Sequence, residues 1–330
     1  MEPAVKSRTW ARNRLIRDGI YRAIHEQMRT DPSIYVLGEG AHMKVHYDAP
    51  YIEKDFRDRI ITLPISEDGN TNFAVGTSLV GVKPIVDVIS SDFLFRTMDS
   101  ICNTAAKLSQ ISSFVNQPKT IVVRSEFLFG GPSSGQRVES LFTHIPGLNV
   151  VLPSNPRDAR GLMKTVLTRP GVTIFFEDRM ISDSETKDSD LDDGVTETIP
   201  IGKAKLRHRG DSLTIVSYAI ALREVESVVE AQDVDCDLID LRSLYPLDYE
   251  TINSSVTRTG KLLIVEPDVT FAGVGAEVAA DVSERSLPML KRRVKRLGAP
   301  RTLIPVSQDL HMKMIPSRGE IAASIGELLS

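Results

Sequence analysis

Residues Leu63-Pro-Ile-Ser66-Glu67-Asp68-Gly69-Asn70 leave an apolar run and enter the small-residue stretch Phe73-Ala-Val-Gly76-Thr-Ser. A carboxylate at the carboxyl end of a strand, just ahead of a helix, stands where open α/β sheets place their ligands. Capping of that helix by Ser66 or Asp68 explains two of the three polar side chains. Glu67 is surplus to capping, which makes it the first candidate for chemistry.

Three further places carry motif-like spacing. Gly130-Gly-Pro-Ser-Ser-Gly135-Gln136-Arg137 has the glycines of a phosphate-binding loop but Gln136 where the lysine must stand, so that reading fails. The same stretch, Gly131-Pro-Ser133-Ser-Gly135, matches a nucleophile elbow, with His144, His208 and His311 downstream as bases. A serine hydrolase using Ser133 is therefore one alternative, with Pro132 against it and a loop between strand and helix as the plain reading. Ala272-Gly273-Val-Gly275-Ala-Glu-Val278 lacks the third glycine of a dinucleotide fingerprint, and its glycines suit a helix starting close to other backbone. The basic run Lys291 to Arg296 has apolar neighbours and reads as a solvated edge.

The elements that position these residues follow from size and pattern. At roughly 150 residues per domain, the 330-residue chain holds two domains. With 41% hydrophobic and 25% charged residues, disordered, collagen-like and coiled-coil classes are excluded. No run approaches the roughly 18 apolar residues of a membrane span. A net charge of −4 argues against a nucleic-acid partner. Cys102 and Cys236, alone and far apart, offer neither a disulfide framework nor a zinc site. Met1 to Arg14 has no secretory-signal pattern, and a cytoplasmic location is expected.

Trp10, Leu15, Ile16, Ile20, Ile24 and Met28 recur at helical spacing within Thr9–Arg29. Short apolar runs then alternate with helical segments: Ile34–Leu37, Ile60–Ile65, Pro84–Ile89, Thr120–Val123, Asn149–Leu152 and Thr173–Phe176. Such runs suit buried parallel strands with helical crossovers. From Asp183 to Glu197 the composition turns acidic, too polar to bury a core. Alternation resumes with Leu213–Tyr218, Cys236–Leu241 and Leu262–Glu266. The expected architecture is α/β throughout, two doubly wound domains over residues 1–181 and 201–330, joined by an acidic linker at 182–200.

These residues carry a resemblance. Leu63 to Glu67 with Gly69, Ala74-Val-Gly76, Gly81-Val-Lys-Pro84, Asp92-Phe93, Met98-Asp99, Asn103-Thr-Ala-Ala-Lys107, His144-Ile-Pro-Gly147-Leu148 and Pro153-Ser-Asn-Pro156 together resemble the β subunits of thiamine-diphosphate-dependent 2-oxo acid dehydrogenases. The likeness continues through Asp158-Ala159, Ile201-Gly-Lys203-Ala204, Ile239 to Asp248, Glu266 and Gly273 to Glu277. It implies a thiamine pyrimidine-binding domain followed by a transketolase C-terminal-type domain. It implies further that thiamine diphosphate is the cofactor, with Ile65, Glu67, Ile89 and Phe93 at its pyrimidine. In the family the glutamate matching Glu67 hydrogen-bonds a ring nitrogen and Phe93 matches the aromatic beside the ring; a neutral carboxyl in a dry pocket suits that bond. The implied reaction decarboxylates or cleaves a 2-oxo acid or ketol through an enamine, the small-molecule substrate itself being left open.

Thiamine enzymes grip the diphosphate through Mg²⁺ on a Gly-Asp-Gly motif followed about 25 to 30 residues later by Asn. This chain has no Gly-Asp-Gly, so no metal site is expected here. The resemblance implies an α-type partner holding Mg²⁺, in an α2β2 assembly, with a lipoyl-bearing acyltransferase as a further partner. The family's loop histidine falls on Ser134, with Gln136 and Glu139 retained, and Glu39, His42 and His46 complete the candidate active-site loops. Ser134 weighs against lipoyl transfer and for a second reading, a two-subunit transketolase-like or acyloin-forming carboligase. Arg169 stands where the family often has Asp in a monovalent-cation loop.

Overall fold

The computed structural model describes residues 16–39, 50–114, 117–128, 131–182 and 197–330. Helix α1 (Ile16–Thr30) turns Ile16, Ile20, Ile24 and Met28 inward, as the spacing predicts; Trp10 and Leu15 lie outside the described residues. Then follow β1 (Ile34–Glu39), α2 (Pro50–Phe56), β2 (Ile60–Leu63), α3 (Glu67–Leu79), β3 (Lys83–Ser90), α4 (Ala106–Phe114), β4 (Thr120–Phe127), α5 (Glu139–Thr143), β5 (Leu148–Val151), α6 (Pro156–Thr168), β6 (Gly171–Asp178) and α7 (Arg179–Ser182). A π-helical turn at Asp99–Ala105 leads into α4. The central strands β4 and β6 are buried on both faces, apolar over their first halves and charged toward their carboxyl ends at Arg124, Glu126, Glu177 and Asp178. Helix α6 starts at Asn155, whose side chain accepts the Asp158 N–H, with Pro156 in its first turn. Helices α1 and α6 touch at Gly19, where a Cβ would stand 2.0 Å from the Pro156 carbonyl oxygen; only glycine fits.

The second half contributes β7 (Lys205–His208), β8 (Thr214–Ser217), α8 (Ala219–Gln232), β9 (Asp237–Asp240), β10 (Ser243–Tyr245), α9 (Tyr249–Thr259), β11 (Leu262–Val269), α10 (Val274–Ser286), β12 (Lys295–Ala299), α11 (Gln308–Met312) and α12 (Arg318–Leu329). Its sheet has the order β12-β11-β8-β9-β7, parallel except for the edge strand β7. The first sheet is β10-β5-β6-β4-β3-β1-β2. Its outer strand β10 comes from the second half of the chain and runs antiparallel to β5. The basic run ends in β12, an edge strand, and Arg293 and Lys295 both reach Glu327. Gly273 starts α10 close to backbone, a Cβ there standing 2.5 Å from the Val269 carbonyl oxygen.

Candidate active site

The carboxyl ends of β1, β2 and β3 converge on the first turn of α3. Ser66 is the residue that precedes this helix, yet its hydroxyl makes no capping bond. Its N–H donates instead to Glu39 Oε1, 3.0 Å away, at the end of β1. The helix start is held by Asn70, whose N–H donates to the Ser66 carbonyl at 2.7 Å and whose side-chain amide donates to the Pro64 carbonyl at 3.0 Å. The capping role expected for Ser66 is thus not realised.

Glu67 is 6% exposed, and its Oε2 has no hydrogen-bond partner among the described residues. Arg96 Nε lies 3.1 Å from that oxygen without hydrogen-bond geometry. The Arg96 side chain is 71% exposed, and an ion pair with one end in water contributes at most about 1 kcal/mol. A buried carboxyl oxygen without a hydrogen-bond partner is uncommon, because its lost solvation is offset here only by the Arg96 ion contact. Glu39 beside it is pushed up from the ordinary carboxylate range by burial, and then by the charges of Glu67 and Asp87.

Opposite stands the end of β3. There Asp87 pairs with Arg124 and Ser90 with Glu126, so Val88 and Ile89 oppose the single Ser125 and β3 carries a bulge. Ile89 within it has φ +48°, a left-handed conformation that a β-branched side chain strongly disfavours. The Ile89 N–H donates to Asp87 Oδ1 at 2.9 Å, which holds the bend. Beyond it, the segment 91–97 carries Phe93, partly buried against the core, and Arg96. The loop 131–137 is tied to the same segment: the Gln136 N–H donates to Asp92 Oδ2 at 3.1 Å and Ser91 Oγ donates to the Gln136 carbonyl at 2.9 Å. Below the bulge, Arg124 is 2% exposed and binds Glu177 at 2.6 Å, with Asp87 Oδ2 at 3.5 Å. Burial lifts Glu177 to about 7 against the pull of Arg124.

Glu39, Glu67, the Phe93 segment and Gln136 are thus joined by hydrogen bonds or ion contacts, with Ile89 on the strand between. Ile65 is 82% exposed and outside that set. His42 and His46 lie outside the described residues. Ser134 is half-buried inside a tight turn, its carbonyl accepting the Leu128 N–H at 3.0 Å. The serine-hydrolase expectation is not supported. Ser133 sits on an exposed single turn, and the next helix begins only at Glu139, so there is no strand-to-helix elbow. Of the three downstream histidines, His144 ends α5, His208 bonds the Cys236 carbonyl, and His311 packs on Gly135 of this loop. Nothing local in the sequence marks Arg96 or Arg124 as part of the site, or says that Asp92 receives a peptide N–H from 44 residues away.

Two family models match in series: "Transketolase, pyrimidine binding domain" over residues 14–183 and "Transketolase, C-terminal domain" over 202–321. A pyruvate dehydrogenase E1 component subunit beta of Rickettsia bellii is 30% identical over 328 residues, covering 94% of this chain and 97% of that protein. The mitochondrial subunit beta-1 of Arabidopsis thaliana is 31% identical, covering 94% and 88%. The 2-oxoisovalerate dehydrogenase subunit beta of Bacillus subtilis is 30% identical, covering 94% and 97%. Among solved structures, a chain described as a split gene transketolase, inactive beta4 tetramer, superposes with a TM-score of 0.78 at 20% identity, over 96% of this chain and 98% of that one; at that identity the likeness speaks to fold. With both domain models matched in order and relatives this similar along nearly the whole chain, the protein belongs to the transketolase-like family of 2-oxo acid dehydrogenase E1 β subunits.

Proposed function

We propose that the chain is the β subunit of a thiamine-diphosphate-dependent enzyme acting on a 2-oxo acid, with Glu67 as its principal catalytic residue. The observation that carries this reading is the buried Oε2 of Glu67, which has no hydrogen-bond partner among the described residues and only the largely exposed Arg96 beside it. A carboxyl so placed is suited to exchange a hydrogen bond and a proton with a heterocycle nitrogen, the contact an aminopyrimidine ring requires. Ile89 and Phe93 supply apolar walls for such a ring. The strain held at Ile89 is of the kind folds keep where a side chain must be aimed. When bound, thiamine diphosphate supplies a nucleophilic carbon able to add to the carbonyl of a 2-oxo acid and to accept the electron pair of the bond that breaks. This chain's part is to hold the pyrimidine, exclude water and place a proton at Glu67.

The diphosphate and its Mg²⁺ then belong to an α-type partner, since the chain has no Gly-Asp-Gly. Among the described residues no three His, Cys, Asp or Glu side chains converge as a metal site. Exposed apolar side chains around the site, Ile65, Phe73 and Phe95, supply a surface for that partner. An α2β2 assembly places one such site at each α/β boundary. The acceptor is left open between a lipoyl group on a separate acyltransferase and an aldehyde, since Ser134 stands where the family's loop histidine would. The thiols of Cys102 and Cys236 are both unbridged, which suits the expected reducing cytoplasm.

The test is the chain reconstituted with an α-type subunit, assayed for 2-oxo-acid-dependent reduction of a dye. Glu67→Gln is expected to lower turnover by about a hundredfold or more. Turnover within a few fold of the parent enzyme would rule the assignment out.

A further inference from the structure

Glu67 Oε2 is the oxygen offered to the aminopyrimidine, and it is buried. A ring nitrogen reaches it only if a neighbour yields. The groups at the helix start are fixed, since Asn70 donates to the Pro64 carbonyl and Glu39 accepts the Ser66 N–H. Arg96 is not. Its side chain is 71% exposed, and the 3.1 Å approach of its Nε to Oε2 is its only ion-pair or hydrogen-bond contact among the described residues.

The position of Arg96 is set by the same element that supplies the aromatic wall. Residues 91–97 form a 3₁₀ helix, in which side chains three apart lie one above the other, so Phe93 and Arg96 share a face. The backbone of this element is held in place. Ser91 and Asp92 grip the carbonyl and the N–H of Gln136, and Leu94 and Thr97 are buried. What can move is the Arg96 side chain alone.

Charge sharpens the conflict. A guanidinium attracts a carboxylate, whereas a carboxyl that donates to a ring nitrogen must carry a proton. Arg96 and the pyrimidine thus want one oxygen in opposite states. The ion contact is weak enough to be given up, because a pair with one end in water changes an equilibrium by at most about fivefold.

We propose that Arg96 is a latch on the catalytic carboxyl: it holds Glu67 until cofactor arrives, competes with the aminopyrimidine for Oε2, and turns into solvent when the ring docks. Arg96 is thereby a positioning residue that acts on the cofactor through Glu67. This role rests on the thiamine reading and adds to it a residue that sets cofactor affinity.

The test is calorimetric titration of thiamine diphosphate with Mg²⁺ into the full chain paired with an α-type subunit. Arg96→Gln, at an exposed position, is expected to bind the cofactor about two- to fivefold tighter than the parent. In a Glu67→Gln background, which has no carboxylate to hold, the further change Arg96→Gln is expected to bring no gain. In about 1 M salt, which screens exposed charges beyond about 3 Å, the parent and Arg96→Gln are expected to converge. Equal or weaker binding by Arg96→Gln, the same gain in the Glu67→Gln background, or a gain undiminished by salt would each overturn the latch and leave the thiamine reading standing. No binding by the parent pair would overturn that reading and the latch with it.

Discussion

Replacing Ile89 by glycine should leave the fold nearly as stable as before while damaging the site. A β-branched residue at φ +48° carries about 1 to 3 kcal/mol of backbone strain, all of which glycine relieves. Two losses oppose this. The half-buried isoleucine side chain gives up about 1 to 1.5 kcal/mol, half the value of full burial. Glycine's extra freedom in the unfolded chain removes roughly another 0.5 to 1 kcal/mol. The opposing terms cancel to within about 1.5 kcal/mol. At Val88, buried and on the same strand, a change to glycine relieves no such strain and should destabilise by roughly 3 kcal/mol. Urea unfolding followed by circular dichroism compares the midpoints of the two variants, and turnover is read in the reconstituted enzyme. Ile89→Gly should unfold close to the parent and turn over more slowly. If it is as unstable as Val88→Gly, the backbone at 89 is not strained and the reasoning fails.

The buried pair beneath the bulge and the protonation of the core offer two further tests. Arg124→Met strands Glu177 in the interior and should destabilise by about 3 to 5 kcal/mol near pH 8; near pH 5.5 the loss should shrink, because Glu177, lifted to about 7 by burial, takes up a proton. An equal loss at both pH values in urea unfolding would refute this. Burial raises Glu139 to about 8 and Asp240 and Glu266 to about 7. The folded chain therefore keeps protons that the unfolded chain has released between about pH 4.5 and 8, and stability should fall as pH rises through that window, by up to about 1.4 kcal/mol per pH unit for each group. His311, lowered by burial, acts in the opposite sense below its ordinary value. Calorimetric melting temperatures that climb from about pH 6 to 8 would contradict the sum of these shifts.

Much of this was legible in the residues. Strand positions followed from short apolar runs, because parallel strands buried on both faces must be apolar at most of their positions. Glu67 stood out because capping did not need it. What stayed hidden depends on long-range geometry. Ser243–Tyr245 is locally an unremarkable apolar triplet, and nothing in it says that it joins the other domain's sheet. The φ of Ile89 is imposed by Asp87 and by register against β4, not by isoleucine's own preference. Arg137 and His311 come together only because the second domain folds back onto the loop after β4.

The exchange of β10 into the first sheet also governs how the molecule can be divided. A fragment ending near residue 200 would lack the strand that covers β5 and would present a bare row of peptide N–H and C=O groups, a template for intermolecular pairing. Such a truncation should precipitate or self-associate. A protein nicked between the two matched segments should instead stay in one piece, its halves laced together by a ribbon that neither owns alone.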